Sequence, residues 1–328
     1  MARDNRAKIA EILMNSDNFI SGEEISEKLG ISRAAVWKHI KTLKENGYDI
    51  ESVNKVGYRL KSINNSSFSP ERFLSILDTE FIGRNIKCFD SLESTNKYVL
   101  ENSENLEDGS VVIAEEQTGG RGRIGKPWKS KSGEGIWMSI VLKPEIPLNK
   151  APFITLISGA ALVDAFRNMD VDAKIKWPND IILNGKKLCG ILTEMKAQVE
   201  RIECITTGVG INVLTEEFPE DIRKKATSLF IEGCLTDREK IASEFMKSFE
   251  RMYKAYIEKD DRKEVLDICT ENSVLIGKEI RVIERGEEKY AICNGIDVDG
   301  NLIVTDENGH RKTIFSGEVS VRGKNGYI

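Results

Sequence analysis

Histidine is almost absent from this chain: His39 and His310 are the only two in 328 residues. That excludes a histidine-built metal site and argues against a His-based nucleophile triad. Cysteine is present but scattered. Cys88, Cys189, Cys204, Cys234, Cys269 and Cys293 form no C-x-x-C pair, so they read as reduced thiols rather than a zinc site or a disulfide framework. The chain itself is expected to hold no metal. Long apolar runs are missing too: the richest stretch, 151–166, is shorter than the roughly 20 residues of a membrane helix and carries Thr155, Ser158 and Asp164. The first residues are charged and lack the apolar core of a secretory signal, so a cytoplasmic location without a membrane partner is expected. Proline is sparse, with 7 residues, while hydrophobic residues make up 40% and charged residues 31%, a globular composition. The length suits two or three domains.

The net charge of −5 excludes a chain that is basic throughout, but the charge is uneven. Residues 31–61 hold seven basic side chains against three acids; residues 1–30 hold four against six. A basic patch on an acidic protein is a localised electrostatic footprint. Ile9, Ile12 and Leu13 follow helical spacing. Ser21-Gly-Glu-Glu24 forms a capping box ahead of Ile25 and Leu29, and Gly30 ends that helix. Ser32 caps a second helix running to Gly47, with Val36, Ile40 and Leu43 inward and Arg33, Lys38, Lys41 and Lys44 outward. Tyr48–Val53 and Val56–Leu60 flank a turn at Asn54-Lys55, which makes a hairpin wing with Lys55 and Arg59 placed for phosphates. A protein-interaction module with a solvated lysine face is the bland alternative. The capped helices, tight turn, basic second helix and basic hairpin together favour a winged helix-turn-helix that binds DNA. The polar stretch Lys61–Pro70 marks the boundary, giving a first domain of residues 1–64.

From Pro70 onward helix and strand patterns mix. Phe73, Leu74 and Leu77 mark a short helix, and 151–168 a long buried one. Strands are expected at 110–114, 136–142, 174–177, 180–183, 187–194 and 201–208, with Asn184-Gly185 as a hairpin turn. Ile241, Phe245, Phe249, Met252 and Tyr256 stripe a helix over 237–258. The result is an α+β domain with a largely hairpin-built mixed sheet, 65–270. Short strands around Asn294-Gly295, Asp299-Gly300 and Asn308-Gly309 fill a third domain, 271–328.

Chemistry concentrates at Gly119-Gly-Arg-Gly-Arg-Ile-Gly-Lys-Pro-Trp128. Gly120–Gly125 fits G-x-G-x-x-G, but no helix follows to hold a pyrophosphate. Gly120–Lys126 fits G-x-x-x-x-G-K, but Pro127 stands where a P-loop needs Ser or Thr. What remains is a basic glycine loop that lets backbone and arginines close on an anion and is expected to order on binding it. A solvated basic loop is the alternative.

Further clusters follow in order: Ser94-Thr-Asn96, Gln117, Lys176-Trp-Pro-Asn-Asp180, Lys187-Leu-Cys-Gly-Ile191 and Gly208-Val-Gly-Ile-Asn212. This series, with the N-terminal winged helix, resembles the biotin protein ligases, specifically the bifunctional ligase/biotin-operon repressor (BirA) type. The likeness covers nearly the whole chain. There are two departures from the pattern: Lys126-Pro127 where an arginine usually recurs, and Cys189 where alanine is common. The first leaves the loop geometry open.

The resemblance implies that the C-terminal domain is a small SH3-like β-barrel. It implies a reaction of biotin with ATP, accompanied by Mg2+, to give biotinyl-5′-AMP and pyrophosphate. The biotinyl group then passes to a lysine of a biotin carboxyl carrier domain. Arg121, Arg123 and Lys187 would offset the charge of the meeting anions, and Asp180 is the candidate to help the acceptor lysine lose its proton. Biotin would meet Ser94, Thr95, Asn96, Gln117, Gly120, Arg121, Gly122, Arg123 and Lys187. The nucleotide would meet Arg121, Arg123, Trp128, Lys176, Asn179, Asn212 and Arg322. Operator DNA would meet Ser21, Ser32, Arg33, Ala35, Lys38, Lys41, Lys55 and Arg59. A homodimer promoted by biotinyl-AMP is also implied. The rival readings are a lipoate-type ligase and a biotin-sensing transcription factor without ligase activity.

Overall fold

The computed structural model describes residues 5, 8–9, 12–13, 16, 18–45, 48–63, 68–198, 201–234, 237–284, 287–315 and 319–323. Ile9 and Leu13 are buried in helical conformation at the start of the chain. The Ser21 hydroxyl caps α1 (Gly22–Leu29), accepting the Glu24 N–H at 3.0 Å. The expected reciprocal half of the capping box is absent: the Glu24 carboxylate instead pairs with Lys28, one helical turn on, at 2.9 Å. Gly30 closes the helix at φ 64°, the left-handed conformation glycine adopts without strain. Ser32 then caps α2 (Arg33–Glu45), where Ala35 N–H reaches its hydroxyl at 3.2 Å. Val36, Ile40 and Leu43 are buried beneath it. Gly47, the expected helix end, lies outside the described residues. β1 (Tyr48–Val53) and β2 (Gly57–Ile63) pair antiparallel as the wing. The expected boundary at 64/65 also lies outside the described residues.

The segment entering the central domain is pinned by charge. The Phe68 N–H donates to Glu115 and the Ser69 N–H to Glu239, at 2.7 Å in the second case. Glu115 in turn pairs with Arg238 at 3.0 Å, and both are buried. After α3 (Pro70–Ile76) a seven-stranded sheet forms. Its strands are β3 (Ile86–Leu92), β4 (Val111–Gln117), β5 (Gly135–Leu142), β6 (Lys174–Lys176), β7 (Asp180–Leu183), β8 (Lys186–Gln198) and β9 (Arg201–Asn212). The order is β3-β4-β5-β9-β8-β7-β6, with β3–β4 parallel across α4 (Thr95–Glu101) and every other pair antiparallel. This is the mixed, hairpin-rich sheet the sequence suggests. Asn184-Gly185 turns β7 into β8, with both residues at positive φ, as a type I′ hairpin needs.

The apolar helix α5 (Phe153–Asn168), with α6 (Arg238–Lys259) and α7 (Lys263–Glu271), builds the main core on one face. Strand alternation separates the two faces. Thr207 meets Ser158 of α5 at 3.0 Å, whereas Thr206 donates to Asn96 of α4 at 3.2 Å. Gly208, Gly210 and Asn212 therefore share the α4 face with Thr206. No described helix is long and apolar enough to cross a membrane.

The C-terminal strands are β10 (Glu279–Glu284), β11 (Glu287–Ile296), β12 (Leu302–Asp306), β13 (Arg311–Ile314) and β14 (Val319–Gly323). They form one antiparallel sheet in the order β13-β12-β11-β10-β14. Among the described residues the edges do not close into a barrel. Asn294-Gly295 proves to be a bulge inside β11, where the register shifts between Cys293 and Gly295, not a turn between strands. Trp177 joins this domain to the central one. It is 3% exposed, sits in the apolar cluster of the C-terminal sheet, and donates its indole N–H to Gly300 O at 2.9 Å.

Candidate active site and DNA-facing surface

A cavity of about 570 Å³ opens on the α4 face of the central sheet. That is the size of a small-molecule site. Its wall gathers residues from α4, the end of β4, the glycine loop, β7, β8 and β9. Ser94 stands at the N-cap of α4 and Thr95 and Asn96 follow, all three nearly buried. Gln117 Oε1 accepts the Thr95 N–H at 2.9 Å, and Gln117 Nε2 donates to Ser130 Oγ at 2.8 Å. Ser139 Oγ lies 2.7 Å from both Thr95 Oγ1 and Asn96 Oδ1. Asn96 Nδ2 donates to Leu192 O at 3.0 Å and to Glu194 at 2.8 Å. Every polar group of this inner wall thus has a fixed orientation, and its side-chain amides cannot turn freely.

Glycines form the floor. Gly190 and Gly210 face each other across β8 and β9. The Trp128 indole lies so close above them that a Cβ on Gly210 would sit 2.5 Å from Nε1 and one on Gly190 3.1 Å from Cζ3. Trp128 packs edge-on against Trp137, with centroids 6.4 Å apart, and its indole N–H is buried with no acceptor in the structure. Lys187 Nζ stands 5.1 Å from the Trp128 ring centre and pairs with Asp180 at 2.5 Å.

The glycine loop folds back on itself rather than trailing through solvent. Gly122 N–H donates to Lys126 O at 2.7 Å and Trp128 N–H to Gly120 O at 2.8 Å. Ile124, at its tip, has φ 58° and is 69% exposed, an unfavourable conformation for a β-branched residue. Backbone pairing gives the loop a defined path between its cations. Arg121 pairs with Glu194 at 2.9 Å, and Arg123 donates to Asn179 Oδ1 at 3.3 Å. Burial pushes the Arg123 pKa down while the Asp180 carboxylate pushes it up.

Among the described residues, seven cationic side chains and two carboxylates, Asp180 and Asp221, line the cavity, so an anion is the favoured occupant. The central cations are held by Asp180, Glu194 and Asn179, which orients them ahead of any ligand.

Most expected site residues meet here; Gly120 is not in the cavity wall but packs behind the loop, where an added Cβ would lie 2.6 Å from Trp128 O. Two expectations change, and a third falls on a side chain outside the described residues. Lys176 is 2% exposed on β6 and is not part of the cavity wall. Asp180 does not stand free for an acceptor lysine, because Lys187 occupies it. Arg322 has only its backbone described, where it pairs with Arg281. Conversely, sequence reasoning missed Arg281, Glu194 and the covering segment Phe218–Ala226. The end of that segment and the residue after it hold the Lys187 backbone on both sides, through Lys225 O at 2.7 Å and Thr227 N–H at 2.9 Å.

On the winged helix, Arg33, Lys38, Lys41 and Lys44 are exposed along α2. Ser21 and Ser32 serve as helix caps, and Ala35 lies in the first turn that Ser32 caps. Lys55 occupies the wing turn at φ 64°. Arg59, expected at phosphates, is turned onto the domain itself: it pairs with Glu51 at 2.7 Å and stacks on Phe19. Trp37, 59% exposed beside Lys41, was not foreseen on this surface.

Three family profiles match in succession. They are described as HTH domain over residues 5–59, Biotin/lipoate A/B protein ligase family over 88–212, and Biotin protein ligase C terminal domain over 275–322. Among relatives, the bifunctional ligase/repressor BirA of Bacillus subtilis is 38% identical over 324 residues, covering 96% of this chain and 98% of that one. The protein of the same name from Escherichia coli is 30% identical over 317 residues, covering 96% of each. A solved biotin protein ligase from Aquifex aeolicus, in complex with biotin and ATP, superposes with a TM-score of 0.65 at 27% identity. It covers 74% of this chain and 100% of its own. With the profiles in this order and relatives matched nearly end to end, the chain belongs to the family of bifunctional biotin protein ligases and repressors.

Proposed function

We propose that this chain joins biotin to protein lysines at the expense of ATP, and represses transcription through its winged helix. The observation that carries the reading is the cation-rich cavity over a glycine floor, formed by the motifs that resemble the ligases. Biotin's carboxylate attacks the α-phosphate of ATP and pyrophosphate leaves, giving the mixed anhydride biotinyl-5′-AMP. The acceptor lysine amine then attacks the biotinyl carbonyl and AMP departs. Two anions meet in the first step, so the barrier is largely electrostatic. Arg121, Arg123 and Lys187 supply the compensating charge, exchanging their protein partners for substrate oxygens. Mg2+ enters with ATP, as the counter-ion of its phosphates.

Biotin occupies the inner wall of Ser94, Thr95, Asn96 and Gln117, beneath Gly120, Arg121, Gly122 and Arg123. The nucleotide lies toward Trp128, Asn179 and Asn212, whose side chain is braced by Thr227 O at 3.0 Å. No covalent enzyme intermediate is needed. Cys189, the thiol nearest these residues in sequence, is wholly buried, and burial pushes its pKa far up. Residues 1–64, 65–270 and 271–328 act as DNA-binding, ligase and C-terminal domains. The C-terminal sheet has the meander of an SH3-like barrel, its last strand returning beside β10. The acceptor is a biotin carboxyl carrier domain. Operator DNA is read by α2 and the wing of a homodimer that biotinyl-AMP promotes, through the Gly-Arg loop.

Biotin-dependent exchange of pyrophosphate into ATP tests the reading. Exchange with biotin and none with lipoate supports it. Exchange with lipoate instead makes the chain a lipoate-type ligase. Biotin binding without exchange makes it a sensor without ligase activity.

A further inference from the structure

Among the described residues, Arg281 is the one residue of the C-terminal sheet that lines the cavity. It sits in β10, and three observations bear on what it does there. First, the Arg281 Nε–H is buried and donates to no acceptor in the structure, while its Nη1 is steadied by Glu288 at 3.1 Å. A guanidinium fixed at one edge keeps its remaining donors oriented. Second, β10 is paired on both sides, with β11 and β14, so the backbone that carries Arg281 is fixed. Third, the sheet is anchored to the central domain. Trp177 is buried in its core, and Arg262 of the central domain reaches Val298 O at 3.0 Å. Only two residues separate Trp177 from Asp180, the partner of Lys187.

We propose that Arg281 binds the outer phosphates of ATP and the pyrophosphate that leaves. This rests on the ligase reading and adds a residue to it. The central cations are already engaged around the glycine loop and Lys187, where the carboxylate and the α-phosphate meet. A triphosphate carries several charges beyond that point. A guanidinium arriving from the second domain closes over them and stabilises the charge that builds on the leaving group.

The test uses the full chain with Arg281→Met and Arg281→Lys. Arg281→Met should raise the KM for ATP in pyrophosphate exchange about tenfold, equivalent to ~1.4 kcal/mol. It should weaken inhibition by inorganic pyrophosphate by a similar factor, and leave biotin affinity and inhibition by AMP unchanged. Arg281→Lys should recover most of the loss. KM for ATP and pyrophosphate inhibition within twofold of wild type would overturn the assignment. So would an equal loss of biotin affinity, which marks a packing role, or a Lys variant as impaired as Met with a normal thermal midpoint. Should the Met variant fail to fold, Arg281→Gln takes its place: a raised KM for ATP with weakened pyrophosphate inhibition and unchanged biotin affinity supports the role, and values within twofold of wild type refute it. If wild type shows no exchange at all, the ligase reading has failed; direct calorimetry of pyrophosphate on wild type and variant then still judges Arg281 alone.

Discussion

A methyl group added at Gly208 should cost both stability and ligand affinity, and the structure fixes the scale. The new Cβ would lie 2.3 Å from Asn96 Oδ1, 2.9 Å from its Cγ and 3.1 Å from its Nδ2. Asn96 cannot give way easily. Its amide donates to Leu192 O and Glu194, and its carbonyl accepts from Thr206 and Ser139. Forcing it aside combines overpacking with the loss of one or more hydrogen bonds, roughly 2–4 kcal/mol. For a domain of this size that lowers the thermal midpoint by roughly 4–16 °C. Because Asn96 belongs to the proposed biotin wall, biotin affinity by calorimetry should also fall, by about tenfold or more, if a charge-free hydrogen bond and its alignment are lost. Gly122→Ala is the contrasting experiment. Its added Cβ meets only Lys126 O at 3.6 Å, an ordinary contact, and its φ of −105° suits alanine. That variant should keep its midpoint and lose affinity only where the ligand approaches the loop backbone. A Gly208→Ala protein with wild-type midpoint and biotin affinity within twofold would refute the argument from packing.

Lys187→Ala should abolish most pyrophosphate exchange while secondary structure by circular dichroism stays intact; a rate within twofold of wild type would remove Lys187 from the chemistry. Trp177→Ala should loosen the C-terminal sheet, because truncating a buried Trp costs roughly 3–5 kcal/mol, and the lost Gly300 bond adds to it; limited proteolysis should cut the junction near residues 271–275 first. Asp306 has a pKa held down to about 2 by hydrogen bonds from Lys312 and from the His310 and Asn308 N–H groups. Since the folded pKa lies below the unfolded one, its contribution is present above about pH 4 and is lost as the pH falls toward 2. Asp306→Asn should flatten that part of the stability profile, followed by denaturant midpoints between pH 5 and 2. Replacing Arg33 and Lys38 by alanine should reduce the salt dependence of operator binding by about one unit of slope each if both meet phosphates.

Features set by a few neighbouring residues were legible before any fold was known. Helix caps at Ser21 and Ser32, the Asn184-Gly185 turn and the strand alternation through Gly208 and Gly210 each depend on local geometry. What lies across from a residue was not legible. Lys176 reads as a site lysine because Asn179 and Asp180 follow it, yet a position in the short β6 buries it. Arg59 reads as a phosphate contact until its cross-strand partner proves to be Glu51. Arg281 lies in an unremarkable strand, and only the docking of two domains brings it to the cavity. The covering segment Phe218–Ala226 has no periodicity to flag it, since its residues are mostly turns. One signal was available for Trp37: an aromatic residue placed among basic ones on the outward face of a recognition helix.

The short motif Lys176-Trp-Pro-Asn-Asp180 explains why ligand chemistry and domain docking are inseparable here. Its tryptophan points away from the cavity into the core of the C-terminal sheet, while Asn179 and Asp180 form the cavity wall and hold Arg123 and Lys187. A shift of the C-terminal sheet would therefore be felt at Trp177 and passed within two or three residues to the groups that orient both cations. The same geometry works in reverse. If substrate anions draw Lys187 away from Asp180, as the proposed chemistry requires, the expected effect falls on the β7 strand that begins there and on the turn that anchors the sheet. The cavity is thus a junction between two packed bodies, lined by Arg121 and Arg123 from one and Arg281 from the other, and Trp177 is the buried side chain that joins them.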